Sequence, residues 1–147
     1  MSKYQANRQR ARARRCAVQA LYQWQLAGQQ PSSIVEEFVA ERELINVDQE
    51  YFRELTTEVP KHGDVLREQL EGVLDRDWAQ LDPVEAAVLW IGAYEFKHRE
   101  DIPWRVVVNE GVELCKMFGA EDGFKYVNGV LDRLAESLRP VEVSRST

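Results

Sequence analysis

The chain has 147 residues, 44% of them hydrophobic, with 19 Lys or Arg against 25 Asp or Glu and a formal charge of -6. This apolar content suffices for the core of one ordinary domain without disulfides or a metal, and no window approaches the roughly 18 apolar residues that cross a bilayer. The N-terminus lacks the apolar run of a signal peptide, and its Arg-rich start leads straight into a core-like pattern unlike a presequence, so a cytoplasmic protein with no membrane partner is expected.

The charge is unevenly spread. The first 27 residues hold six basic side chains, Lys3, Arg8, Arg10, Arg12, Arg14 and Arg15, and no acid, which leaves 13 basic against 25 acidic residues, a formal -12, for the rest. A short basic segment gains affinity for a polyanion by releasing its condensed counterions. The acidic remainder would repel the same polyanion.

Read in chain order, almost every long segment shows 3.6-residue periodicity and none alternates cleanly, so an all-α fold is predicted. Ala13, Ala17, Ala20, Leu21 and Trp24 form the apolar stripe of a first helix over about 6–27, stopped by Gly28. On its wheel Arg8, Arg12 and Arg15 lie opposite the stripe, Arg14, Val18 and Tyr22 run along its edge, and Arg10 falls on the core side. The first turns are therefore expected to extend past the core and to become ordered on a phosphate. Pro31 and Ser32 open a second helix with Ile34, Val35, Phe38 and Val39, and a third carries Val47, Tyr51, Phe52, Leu55 and Val59. Pro60 must end or kink the third helix, after which Val65, Leu66, Leu70, Val73 and Leu74 resume the pattern.

Asp82-Pro83-Val84-Glu85 is the clearest helix start, with Asp82 as N-cap, Pro83 at the first helical position and Glu85 placed to close a capping box. The helix that follows is apolar nearly all round, through Ala87, Val88, Leu89, Trp90, Ile91, Tyr94 and Phe96, and is expected at the centre of the second half. Ile102-Pro103 begins a helix with Val106, Val107, Val108, Val112, Leu114, Cys115 and Phe118, closed by Gly119. The last helix starts near Glu121 or Asp122, suits the positive end of its dipole with their charge, and lays down Phe124, Val127, Leu131, Leu134 and Leu138 before Pro140. Asn109 and Asn128 sit among apolar neighbours and are expected to be structural, because a buried amide needs partners. The predicted organisation is one domain over 1–147, with an N-terminal bundle at about 6–77, a C-terminal bundle at about 82–139 and a mobile tail at 140–147.

Three stretches converge on a known family. They are Arg14-Arg15-Cys16-Ala17-Val18-Gln19-Ala20-Leu21-Tyr22, then Glu85-Ala86-Ala87-Val88-Leu89 leading to Ala93-Tyr94-Glu95, then Phe118 through Asp132 with its acidic cap and Asn128-Gly129. With Pro103 to Lys116 between them, the chain resembles the NusB family of bacterial transcription antitermination factors from about residue 10 to 139. The resemblance implies two perpendicular three-helix bundles that bind boxA-type single-stranded RNA of nascent ribosomal-operon transcripts. It implies a partner, NusE, that is also a small-subunit ribosomal protein, and assembly with other Nus factors on RNA polymerase in the elongation complex.

By the same resemblance Arg10, Arg12, Arg14 and Tyr22 match RNA-side positions, joined by Asp122, Lys125 and Tyr126 at the start of the last helix. Aromatic faces stack on bases and neighbouring cations hold phosphates, so these residue types suit single-stranded RNA. Ala11 stands where some members carry another Arg, which either reduces electrostatic affinity or shifts weight to Arg8 and Lys3. Plainer roles stay open: Asp122 as an N-cap, Tyr22 and Tyr126 as rim packing, Lys125 as a solvated side chain. Glu85 matches a position facing NusE and is otherwise a cap, and an acidic surface suits a basic ribosomal protein.

No catalytic pattern is present. The chain lacks a Gly-rich phosphate loop and H-E-x-x-H, and His62 and His98 have no triad or metal context. Cys16 and Cys115 lie far apart and read as reduced packing residues, so no cofactor, metal or disulfide is expected. The alternative reading is a protein-interaction scaffold or homodimer that uses the acidic C-terminal half without RNA.

Overall fold

The computed structural model describes residues 1–42, 44–119 and 122–146, and among them every regular element is helical. The chain is all-α and divides into two compact units, Met1–Lys61 and His62–Thr147.

In the first unit, α1 (Lys3–Ala27), α2 (Pro31–Glu41) and α3 (Gln49–Lys61) pack as three helices. Ala13, Ala17 and Ala20 are wholly buried, and their small side chains let α1 lie close against its neighbours. Phe38 of α2 and Phe52 of α3 stack at 5.3 Å beside buried Ile34, Leu21 and Leu55. Gly28 ends α1 in the left-handed conformation, φ 65°, with its N–H donating to Trp24 O at 2.9 Å, which is the geometry that favours glycine there. Asp48 begins α3: its Oδ1 accepts from Tyr51 N at 3.0 Å and its carbonyl from Phe52 N at 2.9 Å, so Val47 lies ahead of the helix rather than within it.

The start of α1 differs from the expectation of a basic lead awaiting a phosphate. It is helical from Lys3, because Ser2 and Gln5 close a reciprocal capping box, Gln5 N donating to Ser2 Oγ at 3.1 Å and Ser2 N to Gln5 Oε1 at 3.0 Å.

The second unit holds α4 (Gly63–Glu71), a 3-10 turn (Trp78–Gln80), α5 (Pro83–His98), α6 (Trp104–Phe118), α7 (Gly123–Leu138) and α8 (Pro140–Arg145). The division falls after Lys61 rather than near Asp77 to Asp82, because α4 packs on α5: Trp90 Nε1 donates to Gly63 O at 3.0 Å, and Leu66 and Leu70 are buried. Helix α5 is buried from Glu85 to Phe96, as its continuous apolar run predicts. Asp82 caps it by accepting from Val84 N at 2.7 Å. Asn109 and Asn128 are exposed, so the expected buried amides are solvent-facing side chains of α6 and α7.

Of the expected mobile tail, Pro140–Arg145 is helical and docked. Glu142 of α8 accepts from Trp104 N, the first amide of α6, at 2.7 Å, and so satisfies a donor that helix geometry leaves without an intrahelical partner. Arg139, 6% exposed, donates to Phe96 O (3.0 Å), Glu95 O (2.8 Å), Arg99 O (2.9 Å) and Ile102 O (2.5 Å), and reaches Glu142 Oε1 at 3.0 Å. One guanidinium thus occupies the carbonyls at the end of α5.

Three helices meet at Leu131 of α7. A methyl built on Gly92 of α5 would lie 2.6 Å from Leu131 Cδ2, and one on Gly111 of α6 would lie 2.6 Å from Cδ1. Leu131 is fully buried and held on both sides, so it has nowhere to retreat. Gly92→Ala is therefore expected to cost about 1–3 kcal/mol by overpacking, despite the better helix propensity of Ala. The measurement is the shift in urea midpoint against Gly72→Ala, where the added methyl meets only Gln69 O at 3.4 Å.

Candidate nucleic-acid interface

Helix α1 carries its basic residues in two different environments. Lys3, Arg8 and Arg15 are exposed, Arg12 is half-buried and Tyr22 is 42% exposed, so these five face solvent along the helix. Arg10, half-buried like Arg12, and buried Arg14 hold their guanidinium carbons 5.3 and 5.7 Å from the centre of the Tyr51 ring. Arg14 is 2% exposed and Val18 1%, so of that predicted edge row only Tyr22 is well exposed. A helical wheel reports the angle of Arg14 and not that Tyr51 of α3 covers it.

Arg8 and Arg12, one turn apart, border an open cleft of about 430 Å³ lined by Met1, Gln5, Arg8, Gln9, Arg12 and Asn46. Arg12 Nη1 donates to Asn46 O at 3.3 Å, and Asp48 N donates to Gln9 O at 3.1 Å, so the turn before α3 is tied to α1 at two points. Asn46 holds φ 61°, in the left-handed region that Asn tolerates better than most residues. No acid lies in the first turn of α1. The positive end of the helix dipole therefore adds to Lys3 and Arg8 instead of being offset, which favours an anion.

The second unit holds the other predicted residues. Asp122 is the N-cap residue of α7, but its side chain makes no capping hydrogen bond and pairs with Lys125 Nζ at 3.6 Å, both side chains strongly exposed. A pair this exposed is worth at most about 1 kcal/mol, so either partner is free to exchange it for a ligand. Ala120 and Glu121 of the same motif lie outside the described residues. Tyr126 is half-buried. The guanidinium of Arg76 sits 3.8 Å from its ring centre, so one ring face is taken and a base can stack only on the other. Burial pushes the Tyr126 phenol upward in pKa; the Arg76 charge lowers it, the Asp75 carboxylate raises it and a backbone hydrogen bond at Asp75 lowers it. Sequence reading missed Arg76, which sits between Asp75 and Asp77 and reads as a neutralised surface residue.

Glu85 is not the exposed cap expected from its position. It is 9% exposed, and a methyl built on Gly123 would lie 3.3 Å from its Oε2 and 3.2 Å from Cys115 Sγ. The carboxylate thus lies beneath the start of α7. Burial, then Glu85 and then Asp82, push the Cys115 thiol up to about 11, which keeps it protonated and unreactive at neutral pH. Among the described residues no group of three or more His, Cys, Asp or Glu is arranged to hold a metal, and no helix is long and apolar enough to cross a membrane.

The profile of the NusB family matches residues 11–136. A transcription antitermination protein NusB of Alcanivorax borkumensis is 54% identical over 135 residues, covering 92% of this chain and 90% of that protein. The protein of the same name from Shewanella amazonensis is 48% identical over 126 residues, covering 86% of this chain and 94% of its own. A solved structure of T. maritima NusB superposes with a TM-score of 0.66 at 24% identity, covering 91% of this chain and 96% of that one, a likeness of fold. With a profile that spans most of the chain and relatives near half identity along almost their whole length, this chain belongs to the NusB family.

Proposed function

We propose that this protein is an antitermination factor that binds boxA-type single-stranded RNA of nascent ribosomal-operon transcripts, paired with the small-subunit ribosomal protein that serves as NusE. The observation that carries this reading is the acid-free α1, whose Lys3, Arg8, Arg12 and Arg15 face solvent while the rest of the chain has a formal -12. Exposed Arg side chains on an acid-free helix gain affinity for a polyanion by releasing its counterions. Tyr22, Asp122, Lys125 and the face of Tyr126 away from Arg76 supply stacking and base-edge contacts. The acidic remainder suits a basic ribosomal protein, because complementary charge speeds and orients encounter. At its low exposure Glu85 acts on that partner chiefly through the start of α7 that it underlies. The assembled pair then joins other Nus factors and RNA polymerase.

The test is fluorescence anisotropy of labelled boxA-type RNA and a scrambled control, each with and without the ribosomal partner. Preference for boxA of at least about tenfold, increased by the partner, is expected. Equal binding of both RNAs under both conditions would leave a protein-interaction scaffold as the better account.

A further inference from the structure

The cleft between α1 and the turn at Asn46 sets neutral hydrogen-bonding side chains beside its positive charge. Arg8 and Arg12 provide the positive charge that draws a phosphate. The other polar side chains lining the cleft are Gln5, Gln9 and Asn46, three carboxamides, each with both donor and acceptor groups. Gln5, Arg8, Gln9 and Arg12 recur at the three- and four-residue spacing that puts side chains on one helix face, so amide and guanidinium groups alternate around a single opening. The volume, about 430 Å³, lies within the roughly 300–1,000 Å³ of small-ligand sites.

The far wall is held in place rather than loose. Arg12 fastens the Asn46 carbonyl, Asp48 N–H fastens Gln9 O, and the Asp48 carboxylate turns to Tyr51 N at the start of α3. Asn46 adopts its left-handed φ of 61° at this fastened position, which sets where its side chain leaves the backbone. Gln5 Oε1 accepts from Ser2 N, which directs the amide N–H groups of Gln5 to donor roles.

We propose that this cleft is a nucleotide pocket for single-stranded RNA, in which Arg8 and Arg12 hold a phosphate while Gln9 and Asn46 read the edge of one base. The proposal rests on the RNA-binding reading above and adds to it a specificity site formed with the turn before α3. Arg supplies attraction that is blind to sequence, and the carboxamides supply complementary donors and acceptors, the division of labour by which proteins separate positioning from base recognition.

The test uses the full chain, the variant Gln9→Ala/Asn46→Gly and a series of boxA-type RNAs carrying one abasic nucleotide each. Glycine keeps the positive φ at position 46 while removing the carboxamide, and circular dichroism checks that both chains are equally helical. The native chain is expected to lose about tenfold in affinity at one abasic position, and the variant to bind intact RNA about tenfold more weakly and to ignore that position. The dependence of log K on log salt should be the same for both, because Arg8 and Arg12 remain. Variant affinities within about twofold of native across the series would overturn the pocket while leaving RNA binding intact. Competition by inorganic polyphosphate equal to that by RNA of matched charge would make the cleft a plain anion site and also overturn it. A native chain with no preference for boxA-type over scrambled RNA would remove the parent reading, and the pocket with it.

Discussion

Arg139→Ala is expected to destabilise the second unit by about 3–5 kcal/mol, the cost of breaking a buried charged group from its partners. The guanidinium donates to four carbonyls and one carboxylate, and its removal leaves Glu95 O and Phe96 O at the end of α5 without that donor in a buried site. Hydrogen bonds to charged groups are worth about 1.5–3 kcal/mol each, but they share one side chain and do not add in full. Arg139→Lys keeps the charge and loses the planar fork, so it should recover only part of the loss. Urea unfolding followed by tryptophan fluorescence makes the measurement, since Trp78, Trp90 and Trp104 all belong to this unit. A change within about 0.5 kcal/mol of the native chain, as at an ordinary surface site, would show that water replaces the clasp without cost.

The second large effect concerns RNA. Replacing Arg8, Arg12 and Arg15 together by Gln should weaken boxA binding and flatten the salt dependence, since each lost phosphate contact on single-stranded RNA lowers the slope by about 0.7 and three lower it by about 2. Arg14→Gln should behave differently. Its side chain is buried over Tyr51, so the expected result is a loss of stability with little change in slope. Titrating salt from low to physiological concentration for each variant separates the two. An unaltered slope in the triple variant would remove α1 from the RNA interface.

These contrasts mark where local sequence stops being informative. Gly28, Pro31 and the Asp82-Pro83 start were legible because each acts within one turn of the backbone, and the structure places helix boundaries at all three. The apolar run of α5 was legible because burial on all sides leaves no polar stripe. Arg139 was not, since an Arg before a proline reads as the frayed end of a helix, and its carbonyl partners lie about 40 residues earlier at the end of α5. Gly92 and Gly111 read as ordinary helix-weakening residues until Leu131 from a third helix shows what they make room for. Glu85 carries a capping signal, yet contact with Cys115 and Gly123 decides its burial. Asn46 sits in a short irregular turn whose closeness to α1 depends on how α3 packs. Among the residues proposed to meet RNA, charge and family pattern identified Arg8, Arg12, Lys125 and Tyr126, whereas the cleft wall and Arg76 come from tertiary contacts.

The position of Arg139 also bears on how the protein is made. Synthesis runs from the N-terminus, and α1, α2 and α3 contain all of the first unit's helices, so that unit can close while the ribosome is still extending the chain. The end of α5 cannot do the same, because Arg139, whose side chain reaches its carbonyls, is added 43 residues after Phe96 and 44 after Glu95. Until Arg139 is added those carbonyls lack its charged donor, so the closing step of the second unit comes after that of the first. A stalled or prematurely terminated product would carry a finished basic helix on an unfinished body.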